Sequence, residues 1–201
     1  TKLFWIKKYK YNQDGKIVLV AGSCRKYFIS MMVGQLPFYN LIMLKFNKLL
    51  LKNIENKIFN NTIYRFHNQY GFNEISKIQS EFPNLQISTR ETESHFYRLM
   101  YESRLIVVTV DFTSYKQCFV LNHPTILLWD NKYFTTRDSA KVYYDKLHEA
   151  GILFFSPEEC AKKINQIYDD PMKWWISEEV QHAKNYFMSY FIRYDKDIIL
   201  K

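Results

Sequence analysis

Four short segments carry side chains that could hold an anion. Gly22-Ser23 ends one apolar run, and Arg65, His67 and Tyr70-Gly71 end and follow a second. Asp111, Thr113 and Ser114 follow a third, and the segment 130–138, with Arg137, follows a fourth. The chemistry of these types is phosphate recognition. Arginine makes bidentate, charge-assisted bonds to phosphate. Hydroxyls at a helix start add donors beside the backbone N–H groups and the positive end of the helix dipole. Each residue also has a plain structural alternative. Gly22 could be a turn residue, Arg65 and Arg137 ion-pair partners, and His67 a loop histidine. Asp111, Thr113 and Ser114 could be helix caps. What links them as one site is that all four segments stand where an apolar run ends.

Those runs must be strands for the segments to converge. Lys16 to Ala21, Thr62 to Phe66, Leu105 to Val110 and Thr125 to Trp129 have the continuous apolar character of strands buried on both faces. Leu85 to Ile87 and Ile152 to Phe155 read as two shorter strands. Helices are expected between them, over Phe38–Ile58, Phe72–Phe82, Ser94–Ser103, Thr113–Leu121 and Asp138–Ala150, the last stopped by Gly151. Ser156-Pro157 starts another helix, with Glu159 closing a capping box. Asp169-Asp170-Pro171 breaks that helix, and a final one follows from about Ser177. The pairs Trp174-Trp175 and Tyr143-Tyr144 read as core. Strands alternating with helices predict an α/β fold, a Rossmann-like parallel sheet flanked by helices. Its ligand edge lies at the strands' C-terminal ends.

Composition limits the function. The net charge of +8, from 28 Lys and Arg against 20 Asp and Glu, is spread along the chain. The densest basic run, Lys7 to Lys10, is short and broken by Tyr9, which argues against nucleic acid as a partner. Three widely spaced cysteines, Cys24, Cys118 and Cys160, suggest neither a zinc site nor a disulfide framework, and no metal is expected. No apolar stretch is long enough to span a bilayer, and no signal peptide is present, so a cytoplasmic protein is expected. GxGxxG, GxxxxGK[ST] and GxSxG are all missing, which excludes a standard dinucleotide fold, a P-loop enzyme and an α/β-hydrolase. The first residues read as mid-protein sequence, so an N-terminal half is expected upstream.

The order of several motifs resembles the C-terminal region of a family of bacterial transferases of surface-carbohydrate biosynthesis, which look like GT-B glycosyltransferases. The resemblance rests on Ser103, the strand to Val110, the turn Asp111-Phe112-Thr113-Ser114, Asn122-His123-Pro124, Trp129, Arg137-Asp138-Ser139-Ala140 and Trp174-Trp175. Upstream, Tyr64 to Glu74 is similar to the family's Arg-x-His-Pro-x-x-Tyr-Gly segment. It covers about residues 16–187.

The resemblance implies a donor site between two Rossmann-like halves, this half holding the nucleotide sugar. Lipopolysaccharide or another surface polysaccharide would be the product. Gly22, Ser23, Arg65, His67, Tyr70, Asp111, Thr113, Ser114, Gln117 and Arg137 would form the donor and phosphate site. No cofactor beyond the nucleotide-sugar co-substrate is implied. The partners implied are a carbohydrate or lipid-linked acceptor, the upstream half, and peripheral contact with the inner membrane. Residues 1–15 would be a lead-in, 16–170 the nucleotide-sugar domain and 171–201 a helical extension. Two departures stand out: Gln117 replaces the family's acidic residue, and Asn68 replaces the proline of its His-Pro pair. A His-Pro pair and a hydroxyl pair also occur in transferases of CMP-activated acidic sugars, so CMP is the first expectation for the donor. The isolated chain is expected to turn over nothing. The alternative is a degenerate module that binds carbohydrate or a partner without catalysis.

Overall fold

The apolar runs are strands, and they lie side by side in the order that makes a ligand crevice. The computed structural model describes residues 9–22, 39–66, 73–89, 96–111 and 113–192. Among them are β1 (Lys16–Ala21), β2 (Thr62–Phe66), β3 (Gln86–Ser88), β4 (Ser103–Val108), β5 (Thr125–Leu128) and β6 (Leu153–Phe154). All pair in parallel, in the order β3-β2-β1-β4-β5-β6. This is the Rossmann-like sheet expected from the sequence.

Strand side chains alternate between faces, and helices cover both. On one face Ile17, Leu19, Ala21, Tyr64, Phe66, Leu105, Val107, Ile126 and Leu128 meet one set of helices. This set is α1 (Tyr39–Asn53), α2 (Asn56–Phe59), α3 (Glu74–Gln79) and α7 (Pro157–Ile167). On the other face Val18, Val20, Ile106, Val108, Leu127 and Trp129 meet α4 (Phe96–Glu102), α5 (Thr113–Val120), α6 (Asp138–Glu149), α8 (Pro171–Trp175) and α9 (Glu178–Phe191). Residues 171–191 therefore pack into the same core as the sheet. Trp175 is fully buried there, and Tyr144 is buried beside Phe187. None of the helices among the described residues is long and apolar enough to cross a membrane.

Three sequence expectations need correction. The helix expected over 38–58 is two helices with a break after Asn53, and not all of its apolar positions face inward. Leu41 is exposed, while Asn47 is buried and donates to the Tyr64 hydroxyl at 2.7 Å. The Ser156 cap forms, its hydroxyl accepting from the Glu159 N–H at 3.3 Å, but the same hydroxyl donates to the Glu158 carboxylate. The start is thus a simple cap, worth about 1 kcal/mol, rather than the expected reciprocal box. After the break, residues 171–175 form a helical turn capped by Asp170, which accepts from the Lys173 N–H at 3.0 Å. Gly151 has φ of +68°, as the stop of α6 requires.

At the N-terminal edge of the sheet, Ser103 and His123 stand 3.1 Å apart, Oγ to Nε2. Both are fully buried, and His123 Nδ1 donates to the Pro124 carbonyl at 2.9 Å. The pair joins the starts of β4 and β5 and is out of reach of any substrate, so it is a packing contact and not a nucleophile and base.

Candidate functional site

β1 lies between β2 and β4. The next described helix after β1, α1, packs on one face, and α5, which follows β4, packs on the other. This divergence opens a crevice at the C-terminal ends of β1 and β4, the place where sheets of this order bind ligands. Gly22 stands at its floor. A Cβ on Gly22 would lie 2.1 Å from Val110 Cγ1, so only glycine allows the ends of the two strands to lie this close. The Thr109 N–H continues the ladder by donating to the Val20 carbonyl at 3.0 Å.

Asp111, Thr113 and Ser114 follow on the β4 side. Thr113 is exposed and Ser114 half-buried at the first turn of α5, which begins just past the end of β4. The Tyr115 hydroxyl donates to Asp111 Oδ1 at 3.0 Å. Asp111 is exposed as a residue, yet partial desolvation of its carboxyl holds it above its usual range, against the pull of that hydrogen bond and of Lys116. Behind it Tyr115, Trp129, Phe134 and Tyr144 form an aromatic wall, with Tyr115 and Trp129 edge-on at 5.4 Å. Tyr39, the first residue of α1, is buried beside the same edge. Burial, then the nearby Asp130, and more weakly Asp111, push its phenol up to about 12. Asp130 is itself buried, accepting from the Lys132 N–H at 2.8 Å.

The remaining predicted residues are not all gathered here. Arg65 pairs across from Val20, one strand from the crevice, and is 5% exposed. Its Nη1 donates to Ser88 Oγ at 3.0 Å and to the Thr89 carbonyl at 2.6 Å, which braces it towards β3. Gln117 is one turn into α5, its amide donating to the Tyr97 hydroxyl of α4 at 3.1 Å. Arg137 is exposed at the start of α6, where its carbonyl accepts from the Ala140 N–H at 2.8 Å and the Lys141 N–H at 3.1 Å. Ser23, His67 and Tyr70 lie outside the described residues. The structure therefore brings Gly22, Asp111, Thr113 and Ser114 together, sets Arg65 on the flanking strand β2 and Arg137 at the start of α6, and ties Gln117 to a neighbouring helix.

Sequence reasoning missed Tyr39, Tyr115 and Glu74. A tyrosine gives no sequence signal that separates a site wall from core. Glu74 looked like an ordinary first-turn acid, favoured by the helix dipole. Among the described residues no group of three or more His, Cys, Asp or Glu is placed to hold a metal ion. What the crevice offers is donors for an anion and one desolvated carboxyl.

Comparison with known proteins agrees with this architecture. A structure of a histidine-to-asparagine variant of the wall teichoic acid polymerase TagF is 14% identical, with a TM-score of 0.50, and covers 93% of this chain and 43% of that one. TagF itself is 12% identical with a TM-score of 0.42, covering 94% and 43%. The chain thus spans less than half the length of these structures, and the similarity is one of fold. No curated protein matches the sequence. The sequence matches the description "LIC12162 family transferase" over residues 1–201. The chain therefore belongs to the LIC12162 family of transferases.

Proposed function

We propose that this chain is the donor-binding domain of a glycosyltransferase that moves a sugar from a nucleotide sugar to a surface-polysaccharide acceptor. The observation that carries this reading is the crevice at the ends of β1 and β4. There a glycine permits close backbone approach, and Thr113 and Ser114 open a helix beside it. Such a site would hold the donor's phosphate by backbone N–H groups and hydroxyls, with Arg65 supplying positive charge from β2 and Arg137 from the start of α6. Stabilising charge on a departing phosphate, together with positioning, is the main catalytic task in such a transfer. Asp111 is the acid nearest that point, and its raised carboxyl suits a group that takes up or holds a proton.

CMP is the nucleotide favoured by the family resemblance. A lipid-linked acceptor would bring the basic protein to a membrane surface, with the remaining machinery supplied by an upstream half. The test is titration with CMP, UDP, GDP and their sugar conjugates, followed by transfer assays with the nucleotide that binds.

One observation favours a second reading. Gln117, where related transferases carry an acid, is held sideways by Tyr97. In that reading the domain binds carbohydrate or a partner without turnover. Binding of nucleotide with no turnover by any form of the protein would support it.

A further inference from the structure

A buried carboxyl outside the phosphate crevice has no partner. Glu74 is 2% exposed, and neither Oε1 nor Oε2 is hydrogen-bonded. It faces inward with Ile78, one turn along α3, towards the corner where α1 meets β2. Two polar groups stand in that corner. Asn47 Nδ2 donates to the Tyr64 hydroxyl, but Asn47 Oδ1 is buried and also unpaired. Tyr64 is fully buried, and its phenol is pushed up by burial and by the charge of Glu74 nearby. The corner thus holds three unpaired acceptor atoms and one hydroxyl. Burying a carboxyl without hydrogen bonds costs several kcal/mol in order of magnitude, so such a group marks a place where something else donates.

The position fits a nucleotide. Arg65 and Glu74 are at the two ends of one connection, the exit from β2 and the start of α3. Both therefore stand at the ligand edge of the sheet. β2 and β4 flank β1, so their ends lie about 10 Å apart, two strand spacings. A phosphate at the β1/β4 crevice would leave its ribose on the β2 side. Open parallel sheets bind ligands in the crevice outside the carboxyl ends of their strands, so the exit of β2 borders that space. We infer that Glu74, with Asn47 Oδ1, is the acceptor pair for the ribose 2′- and 3′-hydroxyls of the donor nucleotide. This rests on the nucleotide-sugar reading above and names a residue for it.

The test compares wild type with Glu74→Gln. Affinities for CMP, UDP and GDP, and for their 2′-deoxy counterparts, are measured by calorimetry. Wild type should prefer the ribonucleotide by about tenfold or more, the size of a hydrogen bond to a charged group. Glu74→Gln should lose that preference, weakening the ribonucleotide and leaving the deoxynucleotide within about twofold. The carboxamide also brings donors to a corner of unpaired acceptors, so the melting temperature without nucleotide should rise by about 2–4 °C. A purely structural Glu74 would give the reverse, a lower melting temperature with an unchanged ribose preference. Nucleotide binding with the same ribo-to-deoxy ratio in both proteins overturns the Glu74 assignment alone. No nucleotide binding by wild type overturns the donor reading and this assignment together.

Discussion

Trp175 Nε1 donates to Asn122 twice over, to its carbonyl at 2.9 Å and to its side-chain Oδ1 at 3.1 Å. Asn122 ends α5 in the left-handed region, with φ of 53°, and the same Oδ1 accepts from the buried Lys184 of α9. One asparagine thus ties the exit of α5 to α8 and α9. The family-like motifs around Asn122, His123 and Trp175 are structural at this edge, opposite the crevice. Trp175→Phe removes the donor and leaves the Asn122 carbonyl without it, while Oδ1 keeps its bond from Lys184. It should cost about 1–3 kcal/mol in denaturant unfolding, with nucleotide binding by the folded protein unchanged.

His123 gives the fold a pH dependence. Burial lowers its pKa below the ordinary 6.5, although the Pro124, Ser103 and Met100 carbonyls pull the other way. Above 6.5 the ring is neutral in both folded and unfolded chains. As pH falls below 6.5 the unfolded chain takes up a proton that the folded protein resists, so stability declines until the lower folded value is passed. Melting curves above and below pH 6.5 should show this fall in wild type and a shallower one in His123→Gln.

The glycine floor of the crevice predicts a coupled pair. Gly22→Ala places a methyl group 2.1 Å from Val110 Cγ1, so it should destabilise the fold by about 1–3 kcal/mol. Val110→Ala creates the missing space, and the double variant should recover most of the loss in thermal unfolding, a non-additive result expected of touching residues.

Gln117→Glu tests whether the site is weakened. The Tyr97 hydroxyl now accepts from the amide and can equally donate to a carboxylate, so stability should stay within about 0.5 kcal/mol. Donor hydrolysis or transfer by the protein should rise if the acid belongs to the reaction.

Much of the sheet was legible from residues 17–20, 105–108 and 125–128, because strands covered on both faces leave an unbroken apolar run. The ligand edge followed from the alternation of strands and helices, which implies a parallel sheet, but the strand order that puts the crevice between β1 and β4 did not. Less legible was anything that depends on pairing across the chain. Asn47 breaks the apolar pattern of α1 because its Nδ2 donates to Tyr64, across the fold. Asn122 and Trp175 are 53 residues apart and read as separate motifs. Arg65 looked like a free phosphate ligand, yet Ser88 and Thr89 already engage it. The inward aim of Glu74 had no sequence signal, since the first turn of any helix favours an acid.

The central claim is that the β1/β4 crevice holds a nucleotide phosphate. The most direct measurement is thermal stability of the protein with CMP, UDP and GDP, for wild type, Thr113→Ala with Ser114→Ala, and Arg137→Ala. The account predicts that one nucleotide raises the melting temperature, by about 2.7 kcal/mol of added stability at a hundred times its Kd. It predicts that the shift shrinks in both variants while their melting temperatures without nucleotide stay close to wild type. A nucleotide shift of full size in both variants would contradict it, because the ligand would then bind elsewhere than at the ends of β1 and β4.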